Sequence, residues 1–193
     1  MKICGVDYGS KMAGTTVICY YDTTTHQLFL ESSEKKKDAD AFLKKSIETH
    51  QPSYVFIDAP LSLPLVYQNR PGYTNFFFRK VDQEVQGMSP LFLGGLTARA
   101  MKLAYDLKPL PFYETYPAAQ SKRLHLKALG YKTKVAQIDP VLAEISQHYP
   151  EFTLPPIKNW HEVDALLALI GAYRFWKSEH QVLGDAEEGQ VYL

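Results

Sequence analysis

The sequence predicts an α/β domain built on a five-stranded mixed sheet with helices on both faces. Three observations carry this reading. The chain opens with three short strand-like runs joined by tight polar links. The apolar period then switches to that of a helix. Two further apolar runs follow, each reached through a helical segment, which is the order of a sheet extended by crossovers.

The elements follow in order. Lys2 to Asp7 reads as a strand, followed by a Gly-Ser-Lys turn and a second strand from Thr15 to Tyr21. A polar turn, Asp22 to His26, leads into a third strand from Gln27 to Glu31, completing an antiparallel meander. Ala39, Phe42, Leu43 and Ile47 then recur at helical spacing between Asp38 and His50, and Pro52 marks the stop. Tyr54 to Asp58 is a fourth strand, parallel to one already laid down because a helix connects them. From about 59 to 96 prolines, glycines and aromatics interrupt any period, so this stretch reads as a loop-rich insertion with a short helix from Arg79 to Val85. A helix from Thr97 to Leu107 and a fifth strand, Phe112 to Tyr116, come next. Helices are expected at about Ala118–Leu129 and Asp139–His148. The last runs from Trp160 to about Glu179, with Asn159 as cap, Glu162 as its reciprocal partner, and an apolar stripe of Val163, Leu166, Leu167, Ile170 and Tyr173. The tail from Gln190 to Leu193 adds edge structure. Right-handed crossovers make the first, fourth and fifth strands parallel and adjacent.

Composition bounds the function classes. With 193 residues, 46% hydrophobic and 22% charged, residues 1–193 read as one globular domain. No apolar run approaches the ~20 residues of a membrane span, so no membrane partner is expected. Met1 to Asp7 puts a carboxylate where a signal peptide needs apolar residues, and two cysteines, Cys4 and Cys19, make no disulfide framework. A reducing cytoplasm is the expected setting. Lysine plus arginine equals aspartate plus glutamate at 21 each, which argues against a strongly basic coat for nucleic acid and leaves a local basic groove open.

The carboxylates are the informative residues. Asp7 and Asp58 each end a strand directly after an apolar run, and alternation puts Asp7 with Ile3 and Gly5, and Asp58 with Tyr54 and Phe56. Ligands of open α/β sheets gather at the carboxyl ends of parallel strands. Glu114 lies near the end of the fifth strand. Asp164 stands one turn inside the last helix with His161 three residues before it, and Ala168 and Gly171 continue that side with little bulk, allowing close approach to a sheet. Converging carboxylates repel, and a divalent cation relieves that repulsion. Each residue alone also has a plain reading: Asp7 and Asp58 as turn formers, Asp164 as a complement to the helix dipole, Glu114 as a lysine's partner.

The segments Gly5-Val6-Asp7-Tyr8-Gly9, Ile57-Asp58-Ala59-Pro60 and His161-Glu162-Val163-Asp164-Ala165-Leu166 resemble the retroviral-integrase/RNase H superfamily, the last being similar to the closing helix of RuvC-type junction resolvases. With Arg79-Lys80-Val81-Asp82 and Glu114-Thr115-Tyr116-Pro117-Ala118, they look like an uncharacterised bacterial and archaeal family of predicted RNase H-fold nucleases. The resemblance implies an RNase H-like fold and metal-dependent hydrolysis of phosphodiester bonds in nucleic acid. It makes Asp7, Asp58 and Asp164 metal-binding catalytic carboxylates and Glu114 a fourth. Two Mg²⁺ or Mn²⁺ ions ~4 Å apart, bridged by Asp7, would activate a water and stabilise the leaving oxygen; His161 would position that water or relay a proton. The chain departs from the resolvases in carrying Asp58 where they commonly have glutamate, and in lacking their basic character.

Other signals point elsewhere. Arg79 and Asp82 form either a helical salt bridge or a pair in which Asp82 orients Arg79 toward a substrate phosphate. Tyr73 and Phe76 to Phe78 either stack on unpaired bases or pack onto the body or a second copy of the chain, making a homodimer through this loop. Asp7-Tyr8-Gly9-Ser10 with Gly14-Thr15-Thr16 also resembles the phosphate-binding hairpin of actin-like ATPases and sugar kinases. The alternative from another class is a non-catalytic module that binds a nucleotide or a protein on the same fold.

Overall fold

Alternation along the first strand decides where everything else packs. In β1 (Lys2–Asp7), Ile3 enters one core, whereas Cys4 and Val6 enter a second core on the other face. The computed structural model describes all 193 residues. β1 pairs antiparallel with β2 (Val17–Asp22), and β2 with β3 (Leu28–Ser32), giving the expected meander. Helix α1 (Ala39–His50) starts at Asp38, whose carboxylate accepts from the amides of Asp40 and Ala41 at 2.9 and 3.2 Å. It crosses to β4 (Val55–Asp58), which lies parallel beside β1.

The insertion is more ordered than its punctuation suggests. It holds α2 (Lys80–Val85) and α3 (Pro90–Leu93) before α4 (Gly95–Asp106) returns the chain to β5 (Phe112–Glu114), parallel to β4. Then come α5 (Pro117–Arg123), α6 (Ile138–His148) and α7 (Trp160–Trp176), followed by β6 (Val182–Asp185) and β7 (Gly189–Tyr192). The sheet has seven strands in the order β3-β2-β1-β4-β5-β7-β6, not the five expected. The tail supplies the difference: β7 pairs parallel with β5 and β6 closes the edge antiparallel to β7. Glu188, at the tip of this hairpin, ties it to the insertion by accepting from the amides of Leu65 and Lys80 at 3.1 and 2.7 Å.

Helices cover both faces. α5, α6 and α7 bury the side that carries Ile3 and Phe56, and α1 and α4 bury the side that carries Val6 and Ile57. α7 is not the one-sided helix the stripe implied, because every residue from Val163 to Tyr173 is buried. A helix apolar all round is a core helix. Its seat depends on Gly5: a Cβ there would stand 2.0 Å from the Leu169 backbone nitrogen, so helix and sheet backbones touch. Asn159 caps α7 by accepting from the Glu162 amide at 3.1 Å, and Glu162 returns the contact by accepting from Lys158 N at 2.5 Å and Asn159 Nδ2 at 2.9 Å. No helix is long and apolar enough to cross a membrane.

Candidate active site

The pairing of β1 with β4 sets Asp7 opposite Asp58. Paired residues of neighbouring strands share a face about 4.8 Å apart, so the two carboxylates leave the strand ends side by side. The close seat of α7 brings its first turns over the same face. His161 Nδ1 donates to Asp7 Oδ2 at 2.7 Å, and Asp164 is buried at 3% exposure. The charges of Asp7 and Asp164 both act on Asp58.

Two neighbours that the sequence did not single out complete the cluster. Tyr131 donates its phenolic hydrogen to Asp164 Oδ1, and the Lys132 ammonium lies 2.6 Å from Asp164 Oδ2. Lys132 adopts φ +59°, a left-handed conformation that is costly for a residue with a side chain, by about 1 kcal/mol or more. Such strain persists where surrounding contacts over-determine it, and it concentrates at functional sites. Nothing in local spacing links the Gly130-Tyr131-Lys132 turn to a helix thirty residues later; the only local signal is Gly130, at φ +87°.

The electrostatics follow from this crowding. Burial pushes the Asp58 carboxyl well above the ordinary range, with Asp7 and Asp164 adding to the rise and Lys132 opposing it. Asp164 is raised by burial and by Asp7, against the pull of Lys132. The hydrogen bond to Asp7 raises His161, whose side chain is half exposed. Because a carboxylate only accepts, Nδ1 carries the hydrogen and Nε2 is left for a ligand.

Glu114 does not join the group. It pairs in register with Ile57, one residue short of Asp58, so it points to the opposite face of the sheet. There it meets Arg79, Nη1 to Oε1 at 2.6 Å and Nη2 to Oε2 at 2.8 Å, and it also accepts from the Leu61 amide. This removes it as a fourth metal ligand or catalytic acid. Arg79 is corrected with it. Its remaining hydrogen bonds go to Asp82 and to Ser62 Oγ, so all five guanidinium donors are spent inside the chain, and the residue is 1% exposed. Arg79 and Asp82 therefore form a buried structural network with Glu114 and hold no free donor for a substrate phosphate.

A cleft of about 250 Å³ opens at the same end of the strands. Asp58, Tyr8, Tyr116, Leu96 and Met88 line it together with Arg79, Asp82 and Glu114 of the buried network. The insertion's aromatics lie nearby in the chain rather than in this lining: Phe76 and Phe77 are 53% and 54% exposed, and Phe77 packs on Phe92 of α3.

Asp7, Asp58 and Asp164 offer hard oxygen donors of the kind that suits Mg²⁺ or Mn²⁺, and their mutual repulsion favours a cation. The donor chemistry fits. The side chains are nevertheless not drawn together as a ready cage, since no three histidine, cysteine, aspartate or glutamate groups stand in a metal-holding arrangement. Lys132 and His161 hold one oxygen each of Asp164 and Asp7 instead.

No protein-family model matches the chain, and no match is found among curated proteins. Among solved structures, it is similar to the fowlpox virus resolvase in complex with substrate Holliday junction DNA, at 14% identity and a TM-score of 0.35, over 91% of this chain and 99% of that one. The functional reading therefore rests on the side chains themselves.

Proposed function

We propose that this chain is a metal-dependent nuclease with an RNase H-like sheet, hydrolysing phosphodiester bonds of nucleic acid at Asp7, Asp58 and Asp164. The observation that carries the reading is the placement of three carboxylates from β1, β4 and α7 at the carboxyl ends of parallel strands, with an ammonium held by one and an imidazole by another. The strand order β3-β2-β1-β4-β5, with β1, β4 and β5 parallel, supports the fold assignment.

The chemistry assigns each group a task. Asp7, Asp58 and Asp164 would hold hard divalent cations. Such ions, when bound, supply Lewis acidity at the phosphoryl oxygens and make water nucleophilic at neutral pH. His161, held by Asp7 through Nδ1 and carrying a second hydrogen on Nε2 when protonated, would give that hydrogen to the departing 3′-oxygen while the attacking water loses its proton to solvent. Lys132, half exposed and pivoting on Asp164, places positive charge beside the non-bridging oxygens as negative charge develops. Burial of Asp164 and the Tyr131 hydroxyl hold the α7 carboxylate in one orientation.

The test is a cleavage screen with Mg²⁺ or Mn²⁺ over single strands, duplexes, RNA–DNA hybrids and branched substrates, with Asp7→Asn as control. Cleavage of at least one class by the wild type, absent in the variant, is the expected result. No cleavage of any class, with the metal shown to bind, overturns the reading.

A further inference from the structure

We infer that the cleft between Tyr8, Tyr116, Leu96 and Met88 is a binding site for one unpaired nucleobase, that of the nucleotide whose phosphate lies at the carboxylates. The inference rests on the nuclease reading and adds a substrate class to it: single-stranded or extruded nucleotides.

Charge favours an uncharged occupant. An anion has no partner inside the cleft. Of its lining residues, Arg79 has every donor committed to Asp82, Glu114 and Ser62, and Asp58 is itself an acid. The phosphate therefore stays outside, at the carboxylates, and an uncharged group fills the space. Size and lining agree. At about 250 Å³ the cleft falls below the ~300–1,000 Å³ typical of sites for drug-sized ligands, which suits a single ring system. Eight of its fifteen lining residues are hydrophobic, and Tyr116, the partly exposed aromatic among them, offers a ring face that takes any base by stacking.

The cleft is continuous with the chemistry. Tyr116 is half-buried in the cleft wall, and its phenol makes no hydrogen bond within the chain. Asp58 lines the cleft together with Tyr116, so the cleft and the carboxylate cluster meet at Asp58. A nucleotide with its phosphate at the Asp58 carboxylate therefore has its base beside the cleft that Asp58 lines. Because the cleft holds one ring, a base stacked and paired in a duplex does not enter without being turned out, which costs a few kcal/mol.

The chain carries its own reporter. Of its four methionines, Met88 alone lines the cleft, and it is 61% exposed at the rim. The experiment titrates full-length protein, labelled with ¹³C at the methionine methyls, with the four 5′-nucleoside monophosphates and with ribose 5-phosphate. The expected result is a saturable shift of the Met88 signal with nucleotides and none with ribose 5-phosphate. Tyr116→Ala should weaken the nucleotide response about tenfold or more, and Tyr116→Phe, which keeps the ring, far less. A silent Met88 with all four nucleotides, or an equal shift with ribose 5-phosphate, overturns the proposal; the wild-type titration decides this even where Tyr116→Ala fails to fold. The two readings fail separately. A Met88 response without any cleavage keeps the base site and removes the nuclease. Cleavage with Met88 silent and KM unchanged in Tyr116→Ala keeps the nuclease and removes the base site.

Discussion

The Lys132 ammonium lies 2.6 Å from Asp164 Oδ2, and its charge also acts on Asp58 and Asp7, so one half-exposed lysine answers three carboxylates. Removing it leaves their repulsion uncompensated. Lys132→Met should therefore destabilise the metal-free protein by about 1 kcal/mol, the modest size reflecting solvent screening of an exposed ammonium. The loss should shrink in high salt. Urea unfolding in EDTA at two salt concentrations checks this, and equal midpoints for variant and wild type would show that the pair contributes nothing.

Asp58 gives the opposite sign. Burial raises its carboxyl, with Asp7 and Asp164 adding to the rise. A folded pKa above the unfolded value means the group favours folding in acid and loses that contribution as pH rises through the folded pKa. Asp58→Asn should then be more stable than wild type at neutral pH, with the advantage fading toward acid. Melting curves from pH 4 to pH 8 would contradict this by showing a variant less stable at pH 8 than at pH 4 relative to wild type.

His161 titrates in the same sense from a different cause. Its hydrogen bond to Asp7 raises the imidazole above the ordinary histidine value. Its contribution to stability is complete below the unfolded pKa and is lost as pH rises through the raised one. NMR titration of the ring should find it elevated in the wild type and returned toward the ordinary value in Asp7→Asn. An unchanged midpoint in the variant would place the cause elsewhere.

Arg79 should behave as a structural residue. Arg79→Met strands Asp82 and Glu114, side chains only 5% and 6% exposed, without a partner. Breaking a buried pair from one side costs about 3–5 kcal/mol. Neutralising both acids as well, in Arg79→Met with Asp82→Asn and Glu114→Gln, should recover much of the loss. A single variant as stable as wild type would mean that the network carries no weight.

What the sequence revealed and what it concealed divide along physical lines. The meander, the crossover and the facing of Asp7 and Asp58 were legible because apolar alternation in Lys2–Asp7 and Tyr54–Asp58 is local and strong. The small residues Ala168 and Gly171 announced the close approach of α7 to the sheet, where it meets Gly5. The role of Glu114 was hidden by register: one residue of offset against β4 turns its side chain to the other face, and no local pattern fixes that offset. The tail was read only as edge structure, and β6 and the pairing of β7 with β5 were missed, because Gly184, Asp185 and Gly189 dilute short strands whose partner lies some seventy residues away. Tyr131 and Lys132 reach Asp164 through tertiary packing alone. The α7 stripe was drawn too narrowly, since a helix apolar on every side was already visible between Val163 and Tyr173.

The central claim is that Asp7, Asp58 and Asp164 act as one unit on a phosphodiester. Groups that act as a unit lose almost everything when any one is removed, and further removals cost little more. The most direct measurement is the single-turnover cleavage rate, with Mn²⁺ and substrate saturating, for Asp7→Asn, Asp58→Asn and the double variant. Both single variants should fall to one common floor, about 100-fold or more below wild type, with the double variant on the same floor. A single variant that keeps near-normal activity, or losses that multiply in the double variant, would contradict the claim.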